Sequence, residues 1–216
     1  LSVFVGVTAL AQTTPAWAAQ YDVTATITVG TGPLGLGVRP DGKLVVVANS
    51  DSNNVSFINT QLNAVVATTT VGTNPSDVAF SPDGTRGYVS IFQSTGSSNV
   101  VTFSMDSLSI TGGIDLTLPS AGGGPGSMAV TDGSAGPRLW VANNSWDDDG
   151  LTVVDMDTDT VLMHEELGTW EGNIPGLCVT PDNETVLLAH RSIPIQIYNS
   201  SSMLVTGEHA ERTDHC

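Results

Sequence analysis

The sequence predicts an all-β fold, a β-propeller of four-stranded antiparallel blades, with about four blades present as part of a larger ring of roughly six to eight. Three observations predict it. Four prolines that open similar segments, Pro33, Pro75, Pro125 and Pro175, are spaced 42, 50 and 50 residues apart. Each interval divides into four short segments rich in Val and Thr, separated by polar turns. No window of useful length carries apolar residues at helical spacing.

The first unit sets the pattern. Leu34–Val38 reads as strand one, and Pro40-Asp41-Gly42 as a tight turn in which Pro presets φ and Gly accepts a positive value. Lys43–Ala48 is strand two, Val55–Asn59 strand three, and Ala64–Thr70 strand four. The units run over approximately 29–70, 71–124, 125–174 and 175–216. Ser81-Pro82-Asp83-Gly84 repeats the first turn 42 residues after Arg39-Pro40-Asp41-Gly42, and Thr180-Pro181-Asp182-Asn183 repeats it again. The last strand is expected over Ser202–Glu208. The third residues after the prolines, Leu36, Val78, Met128 and Cys178, are expected to face a neighbouring blade, which makes Cys178 a core residue. The fourth, Gly37, Ala79, Ala129 and Val179, are expected where inner strands crowd towards an axis. One blade cannot bury both sheet faces alone, so the units need one another.

Tyr21–Val29 reads as an additional strand of a closing blade that the four units do not supply. One expectation is therefore that further blades lie beyond Cys216. The alternative is an open four-blade arc that closes by oligomerising.

The units resemble YVTN-type β-propeller repeats. The resemblance rests on VGTGPLGLGVRPDGKLVVVAN at Val29–Asn49 and VGTNPSDVAFSPDGTRGYVS at Val71–Ser90, and covers roughly 21–205. The position that names the repeat is held by Val46–Asn49, Tyr88–Ile91, Trp140–Asn143 and Leu187–His190, and the third-strand signature by Val55–Thr60 and Leu151–Asp155. The resemblance implies an exported, bacterial-type protein. Relatives of this kind include lactonase-like propellers and the propeller parts of periplasmic redox enzymes, and the repeat itself carries no reaction.

Export is also legible at the N-terminus. Leu1–Leu10 is an uncharged apolar run of signal-peptide length, too short to span a bilayer. Ala16-Trp17-Ala18 follows as a small-x-small cleavage pattern. Residues 1–18 thus read as a signal peptide truncated at its start, and 19–216 as the propeller. The expected location is the periplasm, the cell surface or the medium, with no membrane span in the mature chain.

Composition excludes other classes. The 216 residues carry 22 acidic and 6 basic side chains, a formal charge of −16. Six bases cannot form the basic stripe that nucleic-acid binding requires. Two cysteines cannot staple a disulfide scaffold. The acidity keeps an exported protein soluble.

Candidate site residues are few. Asp155, Asp157 and Asp159 open a run resembling a calcium loop, with Glu166 at its twelfth position. Thr160 stands where that loop needs Gly, and the run falls on the expected hairpin between strands three and four. Asp147, Asp148 and Asp149 form an acidic loop that a divalent cation would relieve. Calcium at these six aspartates is the one metal considered, and no other cofactor is predicted. His190 falls at a loop mouth, and His209, Asp214, His215 and Cys216 have metal-ligand types without a supporting spacing. Asn54, Asn143, Asn183 and Asn199 begin sequons that carry no meaning in a bacterial host. No nucleophile elbow, phosphate loop, haem or zinc motif occurs. The expected function is a non-catalytic scaffold binding a protein or polysaccharide through loops on one face. The alternative is a lactonase-like or periplasmic redox enzyme with a site at the channel mouth.

Overall fold

The alternation of β-branched residues with turn formers produces sixteen strands and no helix among the described residues. The structure is a computed structural model that describes residues 25–92, 99–116, 124–144, 150–167, 176–189 and 194–209. The first sheet contains β1 (Pro33–Val38), β2 (Leu44–Asn49), β3 (Asn54–Asn59) and β4 (Ala64–Thr70). The second contains β5 (Pro75–Phe80), β6 (Arg86–Ile91), β7 (Val100–Ser104) and β8 (Ser109–Ile114). The third contains β9 (Gly124–Gly133), β10 (Gly136–Asn144), β11 (Gly150–Asp155) and β12 (Thr160–Glu166). The fourth contains β13 (Gly176–Val179), β14 (Thr185–Ala189), β15 (Ile195–Asn199) and β16 (Val205–His209). Each is an antiparallel meander in chain order. In all four the pairing of the last two strands carries a register shift, at Phe57/Ile58, Thr102/Phe103, Val153/Val154 and Ile197/Tyr198. Such bulges add twist to the outer edge of a blade.

The inner strands β1, β5, β9 and β13 pack on one another in series, and three apolar cores lie between successive sheets. The first joins Leu44, Val46 and Phe57 to Val78, Phe80 and Phe103, with the Phe57 and Phe103 rings edge to face at 5.8 Å. The second joins Tyr88 and Val100 to Met128, Leu139 and Val141. The third joins Trp140 and Val153 to Val186, Leu188 and Tyr198. The close approach of the inner strands requires residues without bulk. A Cβ on Gly35 would lie 2.3 Å from the Ser76 carbonyl oxygen, and one on Gly37 would lie 2.7 Å from that of Val78.

Four expectations are corrected. Cys178 is exposed, not in the core. Pro175 precedes its turn proline, Pro181, by one residue fewer than Pro33 precedes Pro40 or Pro75 precedes Pro82. A one-residue slip moves every side chain of a strand to the other face. Leu177 and Val179 therefore pack on the third blade, and Cys178, paired with Leu187, points the other way. Val179 leaves the small-residue set for the same reason, and Cys178 takes its place. Leu36 is 62% exposed because it lies on the face of the first blade that no described residue covers. Residues 25–29, the described part of the expected Tyr21–Val29 strand, form no strand, since they have no ladder partner.

Candidate functional site

Antiparallel order brings two sets of turns to one end of the arc: those between the first and second strands of each blade, and the hairpins between the third and fourth. Both are built by side chains that bond their own backbone. In the first set, Asp83 accepts hydrogen bonds from the Ser81 hydroxyl at 2.6 Å and the Thr85 N–H at 3.0 Å, and these hold its carboxyl below the usual range. The Thr180 hydroxyl and the Glu184 N–H do the same for Asp182, and the Arg39 guanidinium and the Lys43 N–H for Asp41. In the hairpins, Asn59 Oδ1 accepts from the Gln61 and Leu62 N–H groups, and Asn199 Oδ1 from those of Ser201 and Ser202.

Asp155 occupies the same place in the third blade. Its Oδ1 accepts the N–H groups of Asp157 and Thr158, each at 2.9 Å, and the Thr158 N–H foremost holds its pKa down. Asp159 ends that hairpin with φ of 56° and pairs with Arg86. Asp157 points to solvent. The three calcium candidates are thus brought into one hairpin but divided among three tasks. Among the described residues no three His, Cys, Asp or Glu side chains are grouped to hold a metal. Asp147, Asp148 and Asp149 lie outside the described residues, as do His190, Asp214, His215 and Cys216.

Two arginines that sequence reading overlooked tie the blades together at this end. Arg86, at the start of β6, donates to the Met156 carbonyl at 2.6 Å and to Asp159, and its guanidinium lies 5.2 Å from the Tyr88 ring centre. Burial pushes the Tyr88 phenol up to about 12. Arg138, at the start of β10, is buried and donates to the Ser201 carbonyl at 2.7 Å and to that of Ser200. Each arginine therefore reaches the outer hairpin of the next blade. The signal available in the sequence was an arginine at one repeat position in two successive units.

Between the second and third blades this end opens into a cleft of about 580 Å³, lined by Ser81, Pro82, Asp83, Thr85, Arg86, Asp132, Pro137, Met156 and Asp157. Smaller clefts of about 430 and 190 Å³ adjoin it, the first reaching Asp106 and Thr111 and the second Arg39 and Asp41. Arg86 is occupied by Asp159 and a carbonyl. Asp83, Asp132 and Asp157 are left to set the sign of the main cleft, which is negative.

The opposite end holds a different polar cluster. Asp77 on β5 accepts the N–H of Met128 from the next blade at 2.8 Å and that of Val78 at 2.8 Å. Burial raises its pKa in spite of these bonds. Ser76 and Ser90 share a 2.8 Å hydrogen bond, and the Ser76 hydroxyl also reaches the Pro125 carbonyl at 2.9 Å. This cluster clasps two inner strands.

The two ends give carboxylates of opposite behaviour. The turn aspartates, with depressed folded pKa, stabilise above about pH 4 and lose that contribution as pH falls through their folded values. Asp77, with a raised pKa, stabilises below about pH 4 and loses its contribution as pH rises through its folded value. Asp83→Ala is expected to cost about 1 kcal/mol at pH 7, the net worth of one hydrogen bond with the rest discounted for exposure. The loss should shrink towards pH 3. Urea melts at the two pH values check it, and an equal loss at both refutes the assignment.

No family model matches the chain, and no curated protein matches it in sequence. Solved structures do match. Hydrazine synthase of Kuenenia stuttgartiensis is similar over 86% of this chain and 56% of its own, with a TM-score of 0.73 and 18% identity. A Bacteroides uniformis protein described as a 6-phosphogluconolactonase is similar over 80% of this chain and 52% of its own, with a TM-score of 0.60 and 19% identity. The chain thus spans about half the length of either. Identities this low speak for the fold alone, and with four antiparallel four-stranded sheets packed in series they establish it as a β-propeller.

Proposed function

We propose that the chain is an exported, YVTN-type propeller scaffold without catalytic activity, which binds a protein or polysaccharide through one face. The face is the turn end, and the ligand is a protein segment presenting Lys or Arg. The observation that supports this reading is the cleft of about 580 Å³ with Asp83, Asp132 and Asp157 along it. Two blades build it, the inter-blade Arg86 is already neutralised by Asp159, and Asp132 and Asp157 are exposed. A rigid scaffold carrying its recognition groups on turns is a common arrangement for binding. Carboxylates left unpaired in a concave wall attract cationic groups and speed their association. The periplasm, cell surface or medium is the location this reading requires.

Fluorescence anisotropy with a labelled hexalysine peptide tests it, with a neutral dextran of similar size as the competing ligand class. The peptide is expected to bind, to weaken with added salt, and to lose about tenfold in affinity in the Asp132→Asn/Asp157→Asn double variant, about 1.4 kcal/mol. Binding unchanged in the variant, or dextran binding alone, overturns the choice of ligand.

A further inference from the structure

Beside the register shift between its third and fourth strands, each blade sets one residue against another. In the first blade these are Phe57 and Ala67, in the third Val153 and Met163, and in the fourth Ile197 and Gly207. Phe57 and Ala67 pack in the first core, and Val153 and Met163 in the third. The second blade sets Thr102 against Gly112 instead. Thr102 is 2% exposed. It lies on the face that meets the third blade, since it pairs with Tyr88 and Tyr88 belongs to the second core. A hydroxyl and a missing side chain thus stand where the first and third blades put apolar groups into a core.

The space this leaves is the cleft of about 430 Å³, a size that holds a small molecule. Its lining interleaves donors and acceptors. Thr102 and Thr111 share a single hydrogen bond at 3.2 Å, so one of their two hydroxyl protons is left to give. The Thr85 hydroxyl donates to Asp83 and keeps its lone pairs to accept. Asp159 gives one carboxylate oxygen to Arg86, and its Oδ1 is buried without a partner. That ion pair cancels its own charge, which leaves Asp106, exposed at the lip, as the unmatched charge of the lining. The ring in the lining, Phe103, is 1% exposed and belongs to the first core, so it offers no face for a flat base to stack on. A ligand hydroxyl both gives and takes a hydrogen bond. An ammonium group cannot accept and a fully ionised oxyanion cannot donate, so neither fits this wall as well.

We propose that this cleft binds a neutral polyhydroxylated ring, a single sugar unit, between the second and third blades. Thr102 and Thr111 exchange hydrogen bonds with ring hydroxyls, and a ring hydroxyl is the donor that Asp159 Oδ1 lacks. Gly112 leaves open the room that Met163 fills at the same place in the third blade. A core position given up to a hydroxyl is the kind of local break that functional places show. This inference is independent of the cationic ligand read into the main cleft, which shares Thr85 and Arg86 with this one but draws on Asp83, Asp132 and Asp157.

Saturation-transfer NMR on the chain with D-glucose, D-galactose and D-mannose tests it. At least one of the three is expected to take up saturation. Thr102→Val should weaken that sugar about tenfold, the loss of one hydrogen bond. This variant should fold as the wild type does, because Val153 holds the same place in the third blade. Gly112→Met, which copies Met163, should abolish the signal by filling the cleft. The Asp132→Asn/Asp157→Asn double variant should leave the signal unchanged, so that a failure here and a failure of the peptide reading are told apart. No signal from any of the three sugars overturns the proposal. A signal that both Thr102→Val and Gly112→Met leave intact, or one lost in the double variant, overturns it as well.

Discussion

Replacing Trp140 with Ala is expected to lower stability by about 3–5 kcal/mol, the range for removing a large buried aromatic. Trp140 has no exposed surface. It sits in the third core, 6.0 Å from the Tyr198 ring, and its indole N–H donates to the Thr131 hydroxyl at 3.0 Å. Deletion leaves a cavity between two blades and orphans the Thr131 hydroxyl, itself buried. The midpoint of a urea melt should fall with little change of slope, and thermal unfolding should drop by roughly 6–20 °C. Trp140→Phe separates the two effects. It keeps most of the ring and loses the hydrogen bond, so about 1–2 kcal/mol of the total should remain with it. A loss below about 1 kcal/mol in the Ala variant would mean that the third core is not packed as described.

Gly35→Val tests the inner ring. Its Cβ would lie 2.3 Å from the Ser76 carbonyl oxygen and 2.8 Å from the Asp77 Cα. Both are backbone atoms of β5, so no rotamer change relieves the clash and the first blade must move off the second. Overpacking of this kind costs about 1–3 kcal/mol, and here it also disturbs the Asp77 clasp. Gly42→Ala is the contrast. Nothing lies within 4 Å of its added Cβ, and the cost is the strain of a φ of +70°, about 1–2 kcal/mol. Thermal melts of the two variants decide, and Gly42→Ala melting lower than Gly35→Val contradicts the close approach of β1 and β5.

The blades were legible in the sequence because turn chemistry is local. Gly42 and Gly84, both at φ of 70°, and Asn183 at 60° are the residues that a left-handed turn position selects. The equivalent hairpin positions include Leu108 at 52° and Met203 at 59°. These side chains give no turn signal themselves, and their hairpins are set by the residue that opens each, Ser104 bonding the Ser107 N–H and Asn199 those of Ser201 and Ser202. The face of Cys178 was misjudged because alignment on Pro175 ignored the shorter run to Pro181. Counting back from the turn would have placed it correctly, since pairing register is set by the hairpin and not by the preceding loop. The turn-end cleft was not legible at all. Asp132 and Asp157 come from different turns of one blade and Asp83 from its neighbour, and nothing in their spacing announces that packing unites them.

The serial arrangement of the three cores has a kinetic side. The second and third blades are each held between two cores, and the first and fourth by one. Among these four blades, opening the first or the fourth breaks one of the three cores, while opening the second or the third breaks two. Fluctuations that admit solvent to the backbone therefore begin at the ends and travel inward. Amide protons of β2 and β14 should exchange sooner than those of β6 and β10.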